Sequence, residues 1–168
     1  PNVFRGYWRM PEKSAEEFTE DGWFKTGDIA MIDGDGYVHL VGRAKDLIIS
    51  GGFNVYPKEI EELVDDMPEV LESAIVGVSH ADFGEAGVAV VVLRPDRELD
   101  EAALLARLKQ KLANYKVPKR AFFVESLPRN TMGKVQKNVL RDTYADLFDI
   151  YCIPQALHLQ GSSLSFWP

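Results

Sequence analysis

At 168 residues, 46% hydrophobic and 11% aromatic, the chain carries enough apolar content for one ordinary globular domain or two small ones, which excludes disorder as its main state. Its net charge of −7 argues against a general nucleic-acid binder, since phosphate-backbone affinity draws on excess Lys and Arg, and no apolar run nears the ~20 residues of a bilayer crossing. A single cysteine, Cys152, and three scattered histidines (His39, His80, His158) exclude an intrachain disulfide and show no metal-ligand spacing. A reducing compartment fits. The chain opens at Pro1 with neither a starting Met nor a signal-like region, so a piece of a longer protein is expected.

In chain order, residues 1–10 are aromatic and irregular, and residues 11–18 read as a short helix with Pro11 in its first turn. Residues 28–33 and 37–41 form a strand pair joined by Asp33-Gly34-Asp35-Gly36, whose glycines suit a tight hairpin. Gly42-Arg43-Ala44-Lys45-Asp46 is a charged step before the apolar run Leu47-Ile48-Ile49, and the domain boundary falls there. Beyond it, Ile60, Leu63, Val64 and Met67 make one apolar helical face after Pro57. Residues 71–78 and 88–93 read as buried strands. Residues 100–112 put Leu104, Leu105, Leu108 and Leu112 on one stripe behind a candidate N-cap, Asp100. A short strand over 121–124 and a helix over 135–148, burying Leu140, Tyr144, Leu147 and Phe148, complete an α+β domain of ordinary size. Residues 149–168 lose helical periodicity and read as a loose, atypical tail.

Four places could carry chemistry. Thr26-Gly27-Asp28 sets a carboxylate at a strand edge, where it can accept two ribose hydroxyls or simply be a turn aspartate. Ser50-Gly51-Gly52-Phe53-Asn54 removes side chains where a backbone either meets a ligand or turns tightly. In Pro128-Arg129-Asn130-Thr131-Met132-Gly133-Lys134-Val135 a flexible polar loop delivers Lys134, as a point charge for a phosphate or carboxylate or as a solvated lysine. It is not a Walker loop, because the upstream Gly and the Ser or Thr after the lysine are missing. Charge is also segregated: an acidic block (Glu59, Glu61, Glu62, Asp65, Asp66, Glu69, Glu72) reads as a solvated helix face, and a basic block (Lys116, Lys119, Arg120, Arg129, Lys134, Lys137, Arg141) as a local attractor of small polyanions. His80 and Glu85 read as loop residues outside any site.

The order and spacing of these signals resemble the carboxyl-terminal part of the adenylate-forming superfamily of acyl-CoA synthetases, luciferases and peptide-synthetase adenylation domains. The resemblance runs through Gly22-Trp23-Phe24-Lys25-Thr26-Gly27-Asp28, Gly42-Arg43-Ala44-Lys45-Asp46, Gly52-Phe53-Asn54-Val55-Tyr56-Pro57 and Asn130-Thr131-Met132-Gly133-Lys134-Val135-Gln136-Lys137, covering about residues 1–148. Within the superfamily the wording is most similar to the malonyl-CoA synthetase subfamily. The resemblance implies residues 1–45 as the end of a β-rich amino-terminal adenylation domain, with a β-hairpin remnant of it, and residues 46–148 as a small mobile lid with a short antiparallel sheet and packed helices. It implies an AMP-forming acid-thiol ligase using ATP, Mg2+ and CoA on a malonate-like carboxylate. Asp28 and Arg43 would bind the nucleotide, Lys45 would be the hinge, Lys134 would be catalytic in adenylation, and Gly52 would line the CoA tunnel, with Asn54 beside it.

The Gly-rich phosphate loop, adenine pocket and acyl pocket of the superfamily lie outside these residues, so the chain alone is expected to be inactive and most Mg2+ ligands are expected in the amino-terminal domain acting in cis. The expected location is the cytoplasm, or the mitochondrial matrix in a eukaryote. Another acyl-CoA ligase, a peptide-synthetase adenylation domain, and a non-catalytic binding or interaction module of the same fold are the alternatives.

Overall fold

The structure, a computed structural model, describes residues 2–148; the expected tail lies outside them. Helix α1 (Pro11–Glu17) precedes a two-stranded antiparallel hairpin, β1 (Asp28–Ile32) and β2 (Val38–Arg43). A single 3-10 turn, Ala44–Asp46, leads into β3 (Ile48–Ser50), β4 (Phe53–Val55), α2 (Pro57–Asp65), β5 (Val70–His80), β6 (Gly84–Leu93), α3 (Glu101–Lys109), β7 (Arg120–Phe123) and α4 (Lys137–Thr143). Ahead of β1, the aromatic residues are not free: Phe4 meets Tyr7, Phe18 and Phe24 edge-on with ring centroids 5.1, 5.3 and 5.2 Å apart.

The second sheet is ordered β4-β3-β6-β5, with β7 added on β6. β5 and β6 pair antiparallel over almost their whole length, but β7 runs parallel to β6 from Val88↔Arg120 to Val91↔Phe123. The sheet is therefore mixed, not purely antiparallel as expected, because α3 returns the chain between β6 and β7 and so reverses the direction a hairpin would impose. Side chains alternate across it. Ile75, Ala89 and Val91 face Ile60 and Val64 of α2 and Leu104 and Leu108 of α3. Val76, Val88 and Val90 face Leu127 and Leu140 on the opposite side. Both faces being covered explains why β5 and β6 read as near-continuous apolar runs. Leu104 is fully buried, and Leu104→Ala is expected to lower unfolding free energy by about 2 to 5 kcal/mol through lost transfer energy and a residual cavity, measured by urea titration.

One expected boundary and one expected charge pattern shift. The last helix covers only Lys137–Thr143, since Val135 bridges Arg129 in extended pairing and Tyr144 leaves the helix to stack on Phe122 at 4.6 Å. The acidic block is only in part a solvated face: Glu62, Asp65 and Asp66 are exposed, but the other four residues are paired. Glu59 pairs with Lys116 (2.7 Å), Glu61 with Lys137 (2.6 Å), Glu69 with Arg107 (2.9 Å) and Glu72 with Arg129. The Arg107 guanidinium holds the Glu69 carboxyl below its ordinary range. The basic block is thus largely neutralised from within rather than facing outward.

Candidate functional site

Asp28 and Arg43 are direct partners across the β1–β2 pair, so their side chains leave the same face of the hairpin. Arg43 Nε lies 2.8 Å from Asp28 Oδ1. The turn ahead of Asp28 is set by Gly27 at φ +74°, by the Asp28 N–H donating to Thr26 Oγ1 (3.1 Å), and by the Gly27 carbonyl accepting from the Ala44 N–H (2.9 Å). That last bond ties the Thr-Gly-Asp turn to the far end of β2. The pair borders an open cleft of about 250 Å3, walled also by Lys58, Glu61 and Lys137. Glu61 Oε1 accepts from the Ile75 N–H at 2.8 Å as well as from Lys137, so this wall is rigid and its charges are matched.

Lys134 sits on a turn closed by several hydrogen bonds. Asn130 Oδ1 accepts from the backbone N–H groups of Met132 (3.0 Å) and Lys134 (2.9 Å). The Gly133 N–H donates to the Asn130 carbonyl at 2.9 Å, with Gly133 at φ +78°, a conformation that a side chain would strain. Arg129 closes the base by donating to the Gly133 carbonyl (2.6 Å) and pairing with Glu72. Of the seven residues of the basic block, Lys116, Arg120, Arg129, Lys137 and Arg141 are held by carboxylates. Among the described residues only Lys119 and Lys134 of that block lack a carboxylate within salt-bridge distance, and the Lys119 ammonium lies over the Phe83 ring at 4.5 Å. The turn therefore presents a solvent-facing, unneutralised ammonium on a fixed backbone.

Gly51 (φ +58°) and Gly52 (φ +82°) form a two-residue hairpin turn between β3 and β4 with both dihedrals positive, the type I′ pattern. A Cβ at Gly52 would meet nothing within 4 Å, whereas one at Gly51 would meet Phe83. Gly52 thus faces open space, beside the exposed Phe53, which stacks on Tyr115 at 4.6 Å. Asn54 pairs with Ile49 in the strand register. Lys45 is the exposed centre of the 3-10 turn between the two sheets. Its carbonyl accepts from Arg141 (3.3 Å), and Arg141 also reaches Asp46 Oδ1 (2.5 Å).

Asp28 and Arg43 are brought into contact, and Lys45 is joined to the helix that follows the Lys134 turn. Lys134 and Gly52 line neither the Asp28–Arg43 cleft nor each other's surroundings. Arg129 and Asp46, which fix Lys134 and the inter-sheet turn, were not singled out as site residues in the sequence, because their partners lie 57 and 95 residues away. Glu85 is structural, its Oε2 accepting from the Ile49 N–H (2.8 Å), and His80 lies between the rings of Phe83 and Phe148. Among the described residues no group of three His, Cys, Asp or Glu side chains could hold a metal ion, and no helix is long and apolar enough to cross a membrane.

The AMP-binding enzyme C-terminal domain profile matches residues 59–134. A feruloyl-CoA synthase of Amycolatopsis is 48% identical over 84% of this chain and 28% of its own length. ATP-bound MatB from Rhodopseudomonas palustris is 61% identical over 88% of this chain and 29% of that one, with a TM-score of 0.81. Apo MatB from the same organism, at 62% identity and the same coverage, superposes at 0.66. The chain therefore spans less than a third of the length of these relatives. At equal sequence likeness, its arrangement of elements is nearer that of the ATP-bound protein.

Proposed function

Residues 59–134 of this chain belong to the C-terminal domain family of AMP-binding enzymes, and from that premise we propose that the chain is the hinge and lid of a cytoplasmic, ATP-dependent acyl-CoA synthetase acting on a malonate-like acid. The reaction joins a carboxylate oxygen to the ATP α-phosphorus as the bond to pyrophosphate breaks. The CoA sulfur then bonds the acyl carbon, and AMP leaves with its oxygen. Residues 1–45 are assigned to the end of the amino-terminal adenylation domain and residues 46–148 to the mobile domain.

The observation that carries the proposal is the isolated ammonium of Lys134 on its pinned turn. A positive charge carried on a fixed backbone turn and without an internal partner can lower the barrier where negative charge grows on the attacked phosphorus. Asp28 would accept the ribose hydroxyls, and Arg43, already bonded to one of its carboxylate oxygens, would hold that carboxylate oriented. The malonate reading rests on the motif wording of residues 51–57 and 130–141. Mg2+ would enter with ATP, and the described residues offer it no cluster of their own.

The direct test is acid-dependent pyrophosphate release by the full-length ligase that carries this segment, with malonate, methylmalonate, acetate and ferulate compared. A preference of about tenfold or more for malonate is expected, and no acid-dependent release from any of them would defeat the reading. In the same enzyme Asp28→Asn should raise the KM for ATP about tenfold or more by weakening two ribose hydrogen bonds, with kcat less affected. An unchanged KM would remove Asp28 from the nucleotide site.

A further inference from the structure

We propose that Arg141 is a positioning residue of the hinge, clamping the carboxyl-terminal side of the Lys45 pivot so that domain rotation is confined to Lys45 and carries the Lys134 turn with it. The inference rests on the assignment of Lys45 as the hinge. Rotation about φ and ψ of Lys45 leaves its carbonyl group and Asp46 together on the lid side of the pivot. Arg141 reaches both, gripping Asp46 Oδ1 at 2.5 Å and contacting the Lys45 carbonyl more loosely at 3.3 Å, so the hold is made chiefly through Asp46, with the Arg and Asp side chains only 30% and 17% exposed. On the other side the Ala44 N–H donates to the Gly27 carbonyl at 2.9 Å, fastening the residue before the pivot to the hairpin that carries Asp28. One backbone hydrogen bond spans the pivot, from the Leu47 N–H to the Ala44 carbonyl, and at 3.3 Å it is a long one.

The segment is thus anchored firmly on both flanks and tied weakly across the middle, which confines a rotation to one residue. Without the Arg141 clamp, Asp46 and Leu47 could absorb part of the turn and the lid would reach each productive orientation less often. The clamp also fixes where Lys134 goes. Arg141 lies on α4, which begins three residues after Lys134, and the start of that helix is pinned to α2 by the Lys137–Glu61 pair at 2.6 Å. Movement at Lys45 is therefore transmitted to the Lys134 turn through one short helix.

The test is a double-variant cycle in the full-length ligase, with single-turnover rates of both half-reactions expressed per active site titrated by a non-hydrolysable acyl-adenylate analogue. Per-site rates separate a misplaced lid from a loss of folded protein. Arg141→Gln is expected to slow adenylation and thioester formation alike, each about tenfold, Asp46→Asn to do the same, and the double variant to be no slower than Arg141→Gln. Arg141→Lys should recover part of the rate, since it keeps the charge and loses the fork. Should Arg141→Gln not accumulate as folded protein, Asp46→Asn and Arg141→Lys carry the comparison. Per-site rates within twofold of the parent in both half-reactions, or losses that multiply in the double variant, would overturn the clamp. Lys45→Pro separates the two ideas: normal thioester formation in that variant defeats the hinge itself, while a block there together with an unaffected Arg141→Gln defeats the clamp alone.

Discussion

Lys134→Ala is expected to reduce the rate of pyrophosphate release from ATP and acid by about 10² to 10³-fold, the range over which a single preorganised electrostatic contact to a developing charge acts. The loss should be in kcat more than in KM, because in the proposed role the ammonium would meet a charge that exists fully only in the transition state. Its surroundings sharpen the expectation. The turn is set by Asn130, Gly133 and Arg129 through backbone atoms and the Asn130 amide, so removing the Lys134 side chain leaves the loop standing and folding undisturbed. The variant therefore reports on charge alone. Thioester formation from supplied acyl adenylate and CoA should be nearly unchanged, and equal losses in the two half-reactions would show that Lys134 supports structure or both steps. Asn130→Ala is a useful companion, since it removes two hydrogen bonds that aim the lysine while leaving the charge. An intermediate loss, again in adenylation only, is expected from it.

The parts of the fold written as local patterns were legible in the sequence. The β-branched runs that became β5 and β6 and the leucine stripe of α3 need only neighbouring residues to be recognised, as does the Asp100 N-cap, which accepts from the Ala103 N–H at 2.7 Å. Interactions between distant residues were not. The two charged blocks were visible as blocks, yet their mutual neutralisation depends on Glu59 meeting Lys116 and Glu72 meeting Arg129, each 57 positions apart. A solvated acidic face and an internally paired one have the same composition, and only the tertiary fold decides between them. The parallel placement of β7 had a signal that went unused, the helix inserted between two strands. Of the candidate site, Thr26-Gly27-Asp28 and Arg43 were separately legible, but their bond follows from the β1–β2 register. Lys134 differs from most of its own basic block in having no carboxylate partner among the described residues. It is set apart from Lys137 or Arg129 by what those residues are bonded to, and no local window contains that information.

The second large effect is expected at Gly52, in the other half of the cycle. If the lid turns about Lys45 and brings the β3–β4 turn against the CoA arm, Gly52→Leu should block the thiol's approach and leave adenylation almost untouched, so that enzyme-bound acyl adenylate accumulates with little acyl-CoA. The present arrangement leaves room for that side chain, with nothing within 4 Å of a Cβ at this position, so a block would arise only in a different orientation of the lid. Backbone strain has to be separated from bulk, because Gly52 holds φ +82° and any side chain there costs about 1 to 2 kcal/mol. Gly52→Ala carries that strain with little volume. It should lower stability in urea titration as much as Gly52→Leu does, yet retain most of the thioester rate. Lys45→Pro should reproduce the accumulation by another route, since the ring holds φ near −65° and resists the rotation a hinge must absorb. A quenched single-turnover assay resolves the two steps. Normal acyl-CoA yield from both Gly52→Leu and Lys45→Pro would mean that this turn never meets the thiol, and equal rate losses in Gly52→Ala and Gly52→Leu would trace the effect to the backbone instead of the tunnel.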